Sequence, residues 1–140
     1  MGTVDAHPVV LIGRMYHPDA EERLRAAVPV EILESPTAES IAGALRSAGG
    51  AFVRYPNKLP GTALAGAQHL RVISTSGRGT DAVDIAAASA RGIAVVNNPA
   101  FGTVPVAEHT VGAMIALAKS MLPFNRLTHA GEGWPAQKRY

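Results

Sequence analysis

The run Val9-Val10-Leu11-Ile12-Gly13 is apolar without interruption and closed by a glycine. A strand covered on both faces reads this way, because neither side of its pleat meets water. Pro18 to Val28 follows, with Asp19 and two glutamates early and Arg23 and Arg25 later. That charge order suits a helix dipole. Val30 to Leu33 is short and mostly apolar, a second strand. Thr37 to Ala48 places Ile41, Leu45 and Ala48 at helical spacing, and Gly49-Gly50 reads as its stop. Ala51 to Arg54 is a third strand, and Gly61 to Gln68 a short helix behind Pro60. Leu70 to Thr75 is a fourth strand, Asp84 to Arg91 a helix ended by Gly92, and Ile93 to Asn97 a fifth strand.

Strands alternating with helices at this spacing predict an α/β fold with a parallel sheet, helices on both faces and right-handed crossovers. For five strands the natural order is the flavodoxin-like, doubly wound 2-1-3-4-5, with ligands at the carboxyl ends of the strands. The last segment breaks the pattern. Val104 to Leu122 is apolar nearly all round, with Val106, Thr110, Ala113, Leu117 and Ser120 on one side and Val111, Met114, Ile115 and Ala118 on the other. Such a helix needs cover on more than one side, from another domain or another subunit. Pro123 is expected to end or bend it. Phe124 to Tyr140 then reads as an extended arm. The predicted division is 1–103 and 104–140.

Composition narrows the function classes. The chain has 140 residues, 47% hydrophobic and 17% charged, which fits a folded domain. It has no cysteine. That excludes a disulfide scaffold, a thiolate zinc site and a cysteine nucleophile. The net charge is +2 and the basic residues are scattered, so no footprint for nucleic acid is expected. No apolar run has membrane-spanning length. The five histidines lack ligand spacing, so no metal is expected. No signal pattern opens the chain, and the cytoplasm is the expected compartment.

Two places carry candidate chemistry. Ser76-Gly77-Arg78-Gly79-Thr80-Asp81 joins strand four to its helix. Its glycines let a ligand approach the backbone, as a carboxylate or phosphate cradle would require. On spacing alone it reads equally as a tight turn. Arg54 ends strand three, placed either to grip a carboxylate or to cap a loop. Asp81 and Asp84 read as turn and cap residues. Glu108 and His109 are helical neighbours about 100° apart, so they do not face each other. Glu108 is expected to cap or pair near the helix start, and His109 to pack or face solvent.

Three stretches stand in order: Gly77-Arg78-Gly79-Thr80-Asp81-Ala82-Val83-Asp84, Arg91-Gly92-Ile93-Ala94-Val95-Val96-Asn97-Asn98-Pro99 and Pro105-Val106-Ala107-Glu108-His109-Thr110. Together they resemble the N-terminal, substrate-binding domain of the D-isomer-specific 2-hydroxyacid dehydrogenases. Gly131-Glu132-Gly133-Trp134 is similar to the family's Gly-x-Trp arm. The resemblance implies a substrate carboxylate bound by Ser76, Gly77, Arg78 and Gly79, with Arg54 as a substrate-binding arginine. It implies that Thr103, Val104 and Val106 approach the nicotinamide, and that the Val104–Leu122 helix forms a homodimer. The family uses NAD or NADP on small 2-hydroxy and 2-keto acids. Its catalytic His, Glu and Arg belong to a later part of the family chain, so no catalytic residue is assigned here. No Gly-x-Gly-x-x-Gly occurs in these residues, and no cofactor or turnover is expected of this chain alone. The alternative is a stand-alone, non-catalytic dimeric module that binds a small anion.

Overall fold

The computed structural model describes residues 7–100 and 102–132. The end of the expected arm, from Gly133 through Trp134 to Tyr140, lies outside them. The chain divides between Phe101 and Gly102 into two compact units.

The first unit runs β1 (Val9–Ile12), α1 (Pro18–Ala27), β2 (Val30–Leu33), α2 (Ala38–Leu45), β3 (Gly50–Val53), α3 (Gly61–Leu64), β4 (Val72–Thr75), α4 (Ile85–Ala90) and β5 (Ala94–Val96). All neighbouring strands are parallel, in the order β2-β1-β3-β4-β5. This is the order expected from the alternation. The first strand starts in the middle of the sheet, so the chain winds outward in both directions. Val10, Ile12, Ala51, Val53 and Ile73 face α2, α3 and α4 and form the core with Ile41, Leu45, Leu64 and Ala88. Right-handed connection puts α1 on the opposite face. Cover on that face thins across the sheet: Leu11 and Phe52 are buried, whereas Val96 in the same layer is 50% exposed.

Local chemistry sets the helix ends. Thr37 and Ser40 form a capping box: Oγ1 of Thr37 accepts from the Ser40 N–H, and Oγ of Ser40 accepts from the Thr37 N–H. Asp84 caps α4 by accepting from the Ala87 N–H at 2.9 Å. Gly92 takes a left-handed φ of 68° and closes α4, with Gly92 N–H donating to Ser89 O and Ile93 N–H to Ala88 O. The pair Gly49-Gly50 is not a helix stop. The α2 helix ends at Leu45, and Gly50 already belongs to β3. Gly49 is needed for close approach, since a Cβ there would lie 2.9 Å from the Cβ of His7.

The second unit holds α5 (Thr103–Ala118) and α6 (Met121–His129). The long helix is shorter than expected, and Pro123 neither ends nor bends it. The break comes earlier, at Ser120, whose φ is 49°. Pro123 sits in the first turn of α6, where a missing N–H costs nothing. Residues Phe124 to His129 are therefore helical, not extended. Gly131 closes α6 as Gly92 closes α4, with Glu132 N–H donating to Leu127 O. No residue of α5 is buried.

Leu64 is fully buried beneath α2 and α4. Leu64→Ala is expected to cost about 2–5 kcal/mol of unfolding free energy in urea. Gly43 lies inside α2 with open space around it. Gly43→Ala is expected to gain about 0.5–1 kcal/mol in the same assay.

Candidate functional site

Parallel register brings three loops to one place. Ile12, Val53 and Thr75 are aligned across β1, β3 and β4. The chain leaves all three strands at the same edge, which is where ligands bind open sheets of this kind.

The loop after β1 is shaped by Gly13, whose φ is 85°. A Cβ there would lie 3.1 Å from Nδ2 of Asn57 and 3.3 Å from the Cβ of Arg54. The same Asn57 amide donates to the carbonyls of Ile12, at 3.1 Å, and Arg54, at 2.9 Å. It ties the first two loops together. Arg54 donates from Nη1 to the Arg14 carbonyl at 3.1 Å. Its guanidinium carbon lies 4.3 Å from the centroid of the Tyr16 ring. Among the described residues Arg54 makes no ion pair. Arg14 differs: its guanidinium bonds Glu34 at 2.5 Å and Glu21 at 3.1 Å. The hydrogen bond and charge of Glu34, then the charge of Glu21, hold its pKa above the ordinary arginine value. Arg14 is committed to carboxylates and does not serve an anion.

The loop after β4 has a one-sided hydrogen-bond pattern. The carbonyls of Gly77, Arg78 and Thr80 are engaged. Gly77 O accepts from Thr75 Oγ1 at 3.1 Å and from the Asn98 N–H at 3.0 Å. Arg78 O accepts from Nδ2 of Asn97 at 2.7 Å, and Thr80 O from the Val83 N–H at 2.9 Å. Among the described residues, no protein group accepts from the N–H of Gly77, Arg78 or Gly79. Three successive donors held in this way suit an anion. Ser76 does not join them through its backbone. Its N–H is spent on Val53 O at 2.9 Å as the sheet continues, so its hydroxyl is the part left for a ligand.

A cleft of about 220 Å³ opens over this loop, bordered by Tyr16, Tyr55, Thr75, Ser76, Gly77, Gly79 and Asp81. A larger cleft of about 400 Å³ lies by α2 and α3, but Pro36, Ile41, Ala42, Pro60 and Ala63 give it chiefly apolar walls. The smaller one has the donors. Asp81 places a carboxylate at its edge, against an anion.

The remaining expected residues lie elsewhere. Thr103, Val104 and Val106 are exposed in the first turn and a half of α5. Glu108 does not cap that helix, whose N-cap is Gly102 without a side-chain bond. Glu108 and His109 are both exposed. The turn after β1 carries Arg14, bound by Glu34 and Glu21. Tyr16, Asn57 and Asn97 are site residues that the sequence did not disclose. Their one signal is that each follows shortly after a strand.

The family described as D-isomer specific 2-hydroxyacid dehydrogenase, catalytic domain, matches residues 9–132. The D-3-phosphoglycerate dehydrogenase of Methanocaldococcus jannaschii is 33% identical over 112 residues, covering 80% of this chain and 21% of that protein. The 2-hydroxyacid dehydrogenase of Ketogulonicigenium vulgare superposes with a TM-score of 0.78 at 27% identity, covering 95% of this chain and 42% of that one. An NADPH-dependent glyoxylate/hydroxypyruvate reductase of Sinorhizobium meliloti, solved with NADP and malonate, gives 0.74 at 25% identity, over 91% and 39%. The chain thus spans about a fifth of the length of the curated relative.

Gly13→Ala forces a Cβ into the left-handed region and against Arg54 and Asn57. It is expected to cost at least about 1–2 kcal/mol in urea unfolding.

Proposed function

Because this chain belongs to the D-isomer-specific 2-hydroxyacid dehydrogenases, we propose that its first unit holds the carboxylate of a small 2-hydroxy or 2-keto acid. The three free N–H groups of Gly77, Arg78 and Gly79 carry this reading. They would take the carboxylate oxygens, with the Ser76 hydroxyl beside them. Arg54, lying over the Tyr16 ring and free of carboxylates, supplies a cation beyond the cradle for a second acidic group. Arg78 adds positive charge on the loop itself.

The family's nicotinamide cofactor supplies hydride chemistry. No step of that chemistry is assigned to these residues, which contain no Gly-x-Gly-x-x-Gly. Acid binding without turnover is the activity proposed for the chain by itself. Thr103, Val104 and Val106 are the residues proposed to approach the nicotinamide. A cysteine-free composition fits a cytoplasmic setting. Among the described residues no helix is long and apolar enough to cross a membrane.

Malonate, with malonamide as its uncharged control, tests the cradle. The amide resonances of Gly77, Arg78 and Gly79 are expected to move saturably with malonate alone, with a dissociation constant on the order of millimolar. Arg54→Ala is expected to weaken binding roughly tenfold. Asp81→Asn, which removes a like charge, should tighten it roughly two- to fivefold. Equal responses to both compounds would remove the reading.

The α5 helix leads to a second proposal. Val104, Val106, Val111, Met114, Ile115 and Leu117 are each more than half exposed. We propose a homodimer through the Val104–Leu122 segment. Sedimentation at tens of micromolar is expected to give a dimer that Ile115→Glu disperses, and a wild-type monomer there counts against it.

A further inference from the structure

The geometry points to Tyr16 as a positioning residue for Arg54, through which the acid site separates diacids from monoacids. This inference rests on the acid-binding reading above. Arg54 is held by two groups of one turn. Its Nη1 donates to the Arg14 carbonyl, and its guanidinium lies over the ring of Tyr16, two residues further on. That turn is itself fastened, because the Arg14 side chain runs to Glu34 and Glu21. The cation lies over the ring face, and the guanidinium N–H groups other than the one on the Arg14 carbonyl remain for an anion.

Tyr16 also reaches the other side of the cleft. Its hydroxyl is 3.5 Å from Oγ of Ser76, next to the three free N–H groups. Tyr16 borders the cleft, whereas Arg54 is not among its lining residues. The ring therefore stands between the cradle and the guanidinium. An acid with one carboxylate fills the cradle alone. A diacid extends a second carboxylate past the ring to the edge of Arg54. With the ring removed, the arginine side chain regains its rotamers and must be ordered on binding.

The test pairs a ligand-free spectrum with two titrations. In the free protein, the Arg54 δ-methylene and Nε–H resonances are expected to lie upfield from the ring current. They should stay there in Tyr16→Phe and return to ordinary positions in Tyr16→Ala, with melting midpoints recorded to show that each variant is folded. Malonate and acetate are then titrated, read on the Gly77–Gly79 amides. Wild type and Tyr16→Phe should prefer malonate equally. Tyr16→Ala should lose roughly two- to fivefold of that preference. Arg54→Ala should lose all of it, and adding Tyr16→Ala to Arg54→Ala should change nothing more. Unshifted Arg54 resonances in wild type, or full preference in Tyr16→Ala, would overturn the assignment of Tyr16. A shifted Arg54 with amides silent to both acids would remove the acid-binding reading and leave the Tyr16–Arg54 clamp standing.

Discussion

Thr75 Oγ1 and the Asn98 N–H both point at the carbonyl of Gly77, and the Asn97 side chain points at that of Arg78. Each bond fixes the direction of a peptide plane. A carbonyl turned toward the protein turns the N–H on the opposite side of its plane outward. The bonds to the Gly77 and Arg78 carbonyls hold that orientation for the N–H groups of Arg78 and Gly79. A buried backbone donor without a partner costs free energy, but Gly77 and Gly79 border a cleft.

The sheet determines where this happens. Its middle strands β1, β3 and β4 end in register, so the turn with Tyr16, the loop with Arg54 and the glycine loop leave side by side. Asn57 ties the first two together through the carbonyls of Ile12 and Arg54. Ser76 extends the β3–β4 ladder by one bond before the loop departs. The buried face under α2, α3 and α4 holds this frame rigid, and the polar loops inherit its geometry.

Much of the frame was legible because it follows from period and punctuation. Val9 to Ile12 reads as a doubly covered strand, and it lies in the middle of the sheet. Asp84 and Gly92 read as helix ends, and both close α4. The errors came where tertiary contact overrides local signals. Gly49 looks like a helix stop and is instead a close approach to His7. Pro123 looks like a helix breaker and sits harmlessly in a first turn, because the left-handed Ser120 had already broken the chain. The glycine loop was visible as a candidate, but spacing alone could not separate a cradle from a turn. The direction of its carbonyls depends on Asn97 and Asn98, which come from the loop after β5. Tyr16 was invisible for the same reason: its partners Arg54 and Ser76 are 38 and 60 residues away in sequence.

A crystal structure of the chain grown with malonate decides whether the glycine loop holds a carboxylate. One carboxylate is expected there, with its oxygens about 2.7–3.2 Å from the backbone nitrogens of Gly77, Arg78 and Gly79. Malonate seated elsewhere, or those three N–H groups turned inward onto protein carbonyls, would contradict it.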